Sequence, residues 1–480
     1  MQHSSTGSKF GIGEASGVAG LLGGFVVALA SAIFTKAVDA TPALIILICG
    51  FAAAATIVVY AAFQSKWPVN LKKLQPVVVI GIILSNLAVF VYGGLQVNSL
   101  YHVVTPPPPP PPRFDWTFWS PVNEGFKLDR RDQQLSAVAV SSDELDVFAV
   151  GNDNQIWSAY WEGPSGWHDW YPLPRNDKFG PGVRRITAIA RPQIDKTDVF
   201  AIGDDGQLWW TWWQGRAWSA WQPLPGDARF DPRTQTISAV SRSQFNVDLF
   251  GIDLNGVVRT AYWDWVHQRW SSFYNVPAGP MTFPQTQNVS AVARNAHALD
   301  AFVIGSDGSV WRTNWEDGRT WAQWDEVPGK PGFDPNTQQV AAVSRPGSNS
   351  LDILAIDSRN RVLSNHSDNG QDWQSWTAQI PDLGFDHVTQ RLTALARSPL
   401  NVDVFALRSD GASPTDGRLW SAWWNNGLKS WGKWFDPTLG GAKFDVAQQN
   451  VAAVARTETN MDLFVIGSDG ALWTAAWGIR

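Results

Sequence analysis

The chain has almost no cysteine, very little methionine and a thin supply of charge. One cysteine, Cys49, stands in 480 residues, so an intrachain disulfide framework and any cysteine-cluster metal site are excluded. Charged residues make up 17%, below the roughly 25% usual for soluble proteins. What charge there is divides unevenly. The first 112 residues hold five lysines, no arginine and two acids (Glu14, Asp39), a net of 5 − 2 = +3. The remaining 368 carry 37 − 5 = 32 basic and 43 − 2 = 41 acidic residues, a net of −9. A net-acidic body argues against nucleic acid as a partner, because phosphate binding needs a basic footprint. Tryptophan divides unevenly too. Of 29 in the chain, only Trp67 precedes residue 113. Two different solvents are implied, with the break near residue 112.

Residues 1–104 read as a membrane region. Three apolar runs, 17–34, 43–63 and 77–97, lack Asp, Glu, Lys and Arg altogether. Each is long enough to cross a hydrocarbon core of about 30 Å as a helix rising 1.5 Å per residue. Lys66, Lys72 and Lys73 lie between the second and third runs without an acid, which marks that loop as cytoplasmic. The N-terminus is then also cytoplasmic, and everything after the third run lies outside the cytoplasm, periplasmic or extracellular. Val38-Asp39-Ala40 resembles a signal-peptidase site, and cleavage there would leave the same final orientation. Small residues at Gly17, Gly20, Gly23, Gly24 and Ala52 to Ala55 favour close helix packing, within the chain or with other membrane subunits. Pro106 to Pro112 then form a stiff polyproline spacer within residues 105–112.

Residues 113–480 are organised by a repeat. An apolar phrase around Asp146, Asp198, Asp248, Asp300, Asp352, Asp403 and Asp462 recurs seven times. Each unit reads as four short strands. A small apolar strand comes first, then the aspartate phrase, then a tight turn such as Asp205-Gly206 or Asp307-Gly308. The third strand carries tryptophans at i and i+4, as in Trp209/Trp213 and Trp311/Trp315. The fourth element is W-x-x-W, as in Trp218/Trp221 and Trp321/Trp324. A phenylalanine precedes each new unit, Phe126 before the first. Seven four-stranded units of about 50 residues predict an all-β seven-bladed β-propeller. The seventh unit ends at Arg480 without its W-x-x-W, whereas Trp116-Thr-Phe-Trp119 stands ahead of the first. The N-terminal strand is therefore expected to close the last blade.

The unit from Asp300 to Trp324 resembles the repeat of the PLL-type bacterial lectins, seven-bladed propellers with Trp-rich repeats. The likeness covers residues 113–480. It implies fucose or methylated sugars bound in shallow sites between neighbouring blades. The membrane anchor departs from the soluble members of that family. Blade five departs as well, with Leu363 and Ser367 in place of the tryptophan pair.

The repeated aspartate is expected to be structural, paired with Arg191, Arg242, Arg294, Arg345, Arg397 and Arg456, with Ser141 at that place in the first unit. The i, i+4 tryptophans are expected to be buried core. The position just before the second of them varies: Tyr160, Trp212, Tyr262, Asn314, His366, Trp423 and Ala476. It faces away from the pair, and an aromatic ring there could stack on the apolar face of a sugar. Tyr160, Trp212, Tyr262 and Trp423, with Trp210 beside Trp212, are thus the candidate ligand-binding residues.

No catalytic, cofactor or metal constellation is present. Asp368-Asn-Gly-Gln-Asp-Trp373 approaches an Asp box, but His366 replaces its serine. The resulting expectation is a non-catalytic, membrane-anchored, lectin-like module that binds carbohydrate or glycoconjugate. The alternative is an assembly subunit whose propeller caps a partner in a membrane complex.

Overall fold

The computed structural model describes residues 114–479 apart from 124, 129–134, 278–281, 379–382, 410–412, 438–441 and 447–450. The chain divides into two compact units, 1–111 and 112–480. The expected spans at 17–34, 43–63 and 77–97 and the polyproline spacer lie outside the described residues. Among the described residues no helix is long and apolar enough to cross a membrane.

The second unit is a seven-bladed β-propeller built from seven antiparallel sheets. Blade 2 shows the pattern. Ile186–Ala190, Thr197–Ile202, Leu208–Trp212 and Gln222–Pro223 pair in chain order, each with the next. The second strand is wholly buried in blades 2, 4 and 5 and buried except at its ends in the others, because both its faces meet neighbouring sheets, so its middle reads as a continuous apolar run with one aspartate. The first strands surround a central cavity of 350 Å³ lined by Ser136, Thr187, Ser238, Ser290 and Thr393 among others. Their hydroxyls tie one blade to the next, as where Ser136 Oγ accepts from the Ala188 amide at 2.9 Å.

The turn after the second strand needs a positive φ. Glycine supplies it at Gly206, Gly256, Gly308 and Gly470, with φ from 75° to 79°. Asn154 and Asn360 supply it in blades 1 and 5, at 62° and 63°. The turn carbonyl then accepts the amide of the connecting phenylalanine, as from Phe230 to Gly206 and Phe283 to Gly256, both at 2.9 Å. In the connection between blades 7 and 1 that place belongs to Leu128, whose amide bonds Gly470 at 2.8 Å. Phe126 is therefore not the equivalent residue. Its ring still stacks on Trp170, at 4.8 Å.

Closure follows the sequence expectation. Phe114–Trp116 pairs with Leu472–Ile479, placing Asp115 opposite Gly478 and Trp116 opposite Trp477. Ser120–Pro121 continues along the same strand, opposite Thr474 and Trp473. Blade 5 is the irregular one. Only Ala341–Ser344, Leu351–Ile356 and Val362–Ser367 form strands, and isolated bridges Ser364 to Thr377 and Ser367 to Trp373 stand in for the fourth.

Most W-x-x-W segments, with Trp270 at that place in blade 3, bury at least one indole, and on the third strands Trp210 and Trp263 are as deep. Trp119, Trp221, Trp270, Trp321, Trp324, Trp431 and Trp434 are all buried. The first ring meets the phenylalanine of the preceding blade edge-on, as Trp218 with Phe148 and Trp321 with Phe250. The second meets the connecting phenylalanine, as Trp119 with Phe444 and Trp434 with Phe385. The i, i+4 tryptophans are shallower than expected. Trp209, Trp213, Trp311 and Trp315 are only half-buried. They project from a full strand and are covered on one side, whereas the short fourth element drops its rings between blades.

Candidate functional site

The junctions between blades are built on one polar device. A β-bulge interrupts the pairing of the first and second strands, between Ser241 and Ser243 in blade 3 and at the same place in blades 4, 6 and 7. The extra residue is arginine: Arg242, Arg294, Arg397 and Arg456. A bulge re-aims its side chain, here onto the blade's own aspartate. Arg242 to Asp248 measures 2.7 Å, Arg397 to Asp403 2.7 Å and Arg456 to Asp462 2.6 Å. Arg191 and Arg345 reach Asp198 and Asp352 from slightly longer turns, at 2.6 and 2.7 Å.

The same guanidinium lies over a ring of the following blade. Arg242 stacks on Trp315 at 4.6 Å, Arg397 on Trp477 at 4.2 Å and Arg456 on Trp161 at 4.7 Å. It also donates to a turn carbonyl there, from Arg397 to Glu458 at 2.7 Å and from Arg456 to Ser142 at 3.1 Å. Carboxylate, guanidinium and indole form an inter-blade clamp. In blade 4 the following blade offers Ser367 instead of a ring, and Arg294 turns to Glu316 at 3.5 Å.

Blade 1 lacks this clamp, and the sequence alignment of it needs correcting. The bulge there lies between Ala139 and Ser141, so the residue at the arginine place is Val140. Ser141 instead accepts the Asp143 amide at 3.2 Å, as Ser243 accepts that of Phe245 and Ser398 that of Leu400. The repeated aspartate of this blade, Asp146, accepts from Thr197 Oγ1 of blade 2 at 3.3 Å. Burial, then the charges of Glu144 and Asp195, push its pKa up to about 7.

The variable position sits directly opposite the clamp aspartate. Tyr160, Trp212, Tyr262, His366 and Trp423 pair in register with Asp146, Asp198, Asp248, Asp352 and Asp403. Cross-strand partners share a sheet face, so each variable side chain stands at the mouth of a clamp.

The five candidate residues are not brought into one site. Trp423 lines a cavity of 830 Å³ between blades 6 and 7 with Asp115, Trp116, Arg397, Asn401, Lys433, Phe435, Glu458 and Trp477. Its ring is 42% exposed and meets Phe435 edge-on at 5.4 Å. Gly432 packs close beside it, where an added Cβ would stand 3.5 Å from the indole. Tyr262 and Trp210 line a second cavity of 580 Å³ with Gln222, Asp264, Arg269 and Ser271. Trp210 is itself 5% exposed, and its indole donates to Asp198 at 2.8 Å. Trp212 lies against Trp210 at 4.0 Å, and Tyr160 against His168 at 4.2 Å, so one face of each is covered.

His366 bridges Asp352 at 3.0 Å and Asp368 at 2.8 Å. Burial opposes its charging, but these carboxylates win and its pKa is raised. Burial likewise opposes ionisation of Asp352, and the His366 and Arg345 bonds hold it below the ordinary range. The near-miss Asp box is thus part of a blade-five ion network. Sequence reasoning missed Asp115, Asn401, Lys433 and Glu458. They come from the closing strand (Asp115), the start of a second strand (Asn401), a loop (Lys433) and a turn (Glu458), where no repeated pattern marks them. Among the described residues no group of three or more His, Cys, Asp or Glu could hold a metal.

These junctions belong to a seven-bladed β-propeller whose fold is similar to that of a solved lectin. The BP39L lectin of Burkholderia pseudomallei superposes with a TM-score of 0.56 at 20% identity, over 74% of this chain and 98% of that one. AofleA of Arthrobotrys oligospora gives 0.44 at 14% identity, over 70% and 90%. The fucose-specific lectin of Aleuria aurantia gives 0.41 at 14% identity, over 66% and 99%. No family model matches the chain, and no curated protein matches it.

Proposed function

We propose that the chain is a non-catalytic recognition propeller of the PLL type, tethered to a membrane, that binds carbohydrate or glycoconjugate outside the cytoplasm. The observation that carries the reading is the cavity between blades 6 and 7. Trp423 offers an open indole face of the kind that stacks on the C–H face of a pyranose. Asn401, Lys433, Glu458 and Asp115 line the same cavity and supply groups for sugar hydroxyls. Tyr262 and the second cavity give a weaker copy between blades 2 and 3. The similar fold of a protein named as a lectin supports the substrate class. The membrane part of the reading rests on the three uncharged runs and on Lys66, Lys72 and Lys73.

The test is a glycan array on the full chain in mild detergent, followed by calorimetry on variants. Trp423→Ala is expected to weaken the best glycan by about two- to tenfold, since one stacking contact contributes about 0.5–1.5 kcal/mol. If no glycan binds and a membrane protein copurifies instead, the assembly-subunit reading replaces this one.

A further inference from the structure

The junction between blades 1 and 2 keeps two parts of the clamp and lacks the third. The carboxylate is present at Asp146, more than nine-tenths buried. In the following blade the indole is present at Trp213, in the place that Trp315, Trp477 and Trp161 fill under the arginines of blades 3, 6 and 7. The guanidinium is missing, because Val140 occupies the bulge. Valine ends at its γ carbons and cannot reach the carboxylate. Asp146 Oδ2 accepts the weak Thr197 bond, and no hydrogen bond to Oδ1 occurs among the described residues. No lysine or arginine pairs with Asp146 among the described residues.

We infer that this junction is a seat for a guanidinium group supplied by another molecule, with Asp146 as its anion and Trp213 as its ring. The other six blades show what the aspartate binds when an arginine is at hand. The rim suits a cation as well. Glu144 and Asp195 act on Asp146, and Glu162 adds to the field at Glu144. Tyr160 lies opposite in register, and Tyr171 feels the charge of Asp146 from the outer strand segment. His168, stacked on Tyr160, lies 3.3 Å from Glu162. Those acids disfavour a ligand that also carries a carboxylate. An arginine side chain within a peptide therefore fits better than free arginine. Without a cation the carboxyl holds its proton up to about pH 7. Seating a guanidinium must expel that proton, so binding strengthens as pH rises.

The probes are N-acetyl-L-arginine amide, free L-arginine and N-acetyl-L-citrulline amide, the neutral isostere, titrated calorimetrically into the full chain. Saturable binding of the capped arginine at pH 8 is expected, at least tenfold weaker at pH 5 and absent for citrulline. Tighter binding of the capped than of the free amino acid identifies a peptide as the source, and equal binding identifies a small guanidino compound. Asp146→Asn should reduce binding at least tenfold. Val140→Arg supplies the guanidinium in cis, so it should abolish binding while folding like the parent. It is the decisive variant, because a damaged fold cannot explain its loss. Absence of saturable binding at pH 8, or binding unchanged in Val140→Arg, overturns the inference. Neither result bears on the sugar cavity between blades 6 and 7.

Discussion

Replacing Asp146 with asparagine should make the propeller's stability less sensitive to alkali. The carboxyl has a folded-state pKa of about 7 against 3.8 when unfolded. A raised acid pKa means that the folded chain holds a proton the unfolded chain has lost. That contribution is complete below pH 3.8, shrinks as pH rises, and is gone above about 7. Each pKa unit corresponds to about 1.4 kcal/mol, so the span from pH 5 to 7 is worth about 3 kcal/mol. Asparagine keeps the shape and does not titrate. The difference in unfolding free energy between Asp146→Asn and the parent should therefore rise by about 3 kcal/mol from pH 5 to pH 8, in favour of the variant. Urea midpoints followed by near-ultraviolet circular dichroism across that range measure it, and other titrating groups cancel in the difference. Val140→Arg should remove the same slope, because a guanidinium favours the ionised carboxyl. A difference that stays flat with pH would refute the claim that Asp146 lacks a cation.

Three further outcomes are expected. His366→Gln should destabilise the chain most near pH 5.5 and least near pH 9 in urea melts. The raised histidine contributes below its unfolded value of 6.5 and is lost as pH passes its folded one, while depressed Asp352 contributes above 3.8 and is lost in acid. Deleting Asp115–Ser120 should expose the edge of Leu472–Ile479 and raise light scattering; a monomeric product with the parental melting point would contradict closure. Trp434→Ala should cost about 3–5 kcal/mol of stability, whereas the exposed Trp423→Ala should leave the melting point nearly unchanged.

The sequence made the scaffold readable because each blade solves the same packing problem with the same residue types. Seven aspartates at nearly constant spacing located every second strand, and the displaced Trp116-Thr-Phe-Trp119 located the closing strand. The errors arose where a local feature changes the count. Arginine stands six residues before its aspartate in four blades and seven in two, whereas Ser141 stands five before Asp146, so placing it with the arginines is off by one from the six-residue count, which gives Val140. The bulge decides, since it sets which residue leaves the ladder. Tryptophan spacing likewise predicted a shared face for Trp209 and Trp213, but the depth of burial depends on what the next blade places over them.

The candidate sites were less readable for a reason built into the fold. A repeat advertises what is common to all blades, and a ligand site uses what differs between them. The variable position pointed to Trp423 because it is aromatic there and faces away from the tryptophan pair, and the structure sets it opposite a fixed aspartate. It also pointed to Tyr160 and Trp212, whose faces are partly taken by His168 and Trp210. What separates these cases is supplied from outside the repeat: the closing strand brings Asp115 and Trp116 beside Trp423. The blade completed by the first and last strands of the propeller is thus the one whose junction gains residues that no other junction has. Asp115→Ala should therefore weaken any glycan bound through Trp423 and leave binding through Tyr262 unchanged. Equal loss at both cavities, measured by calorimetry, would mean that the closing strand acts on the ring as a whole rather than on that junction.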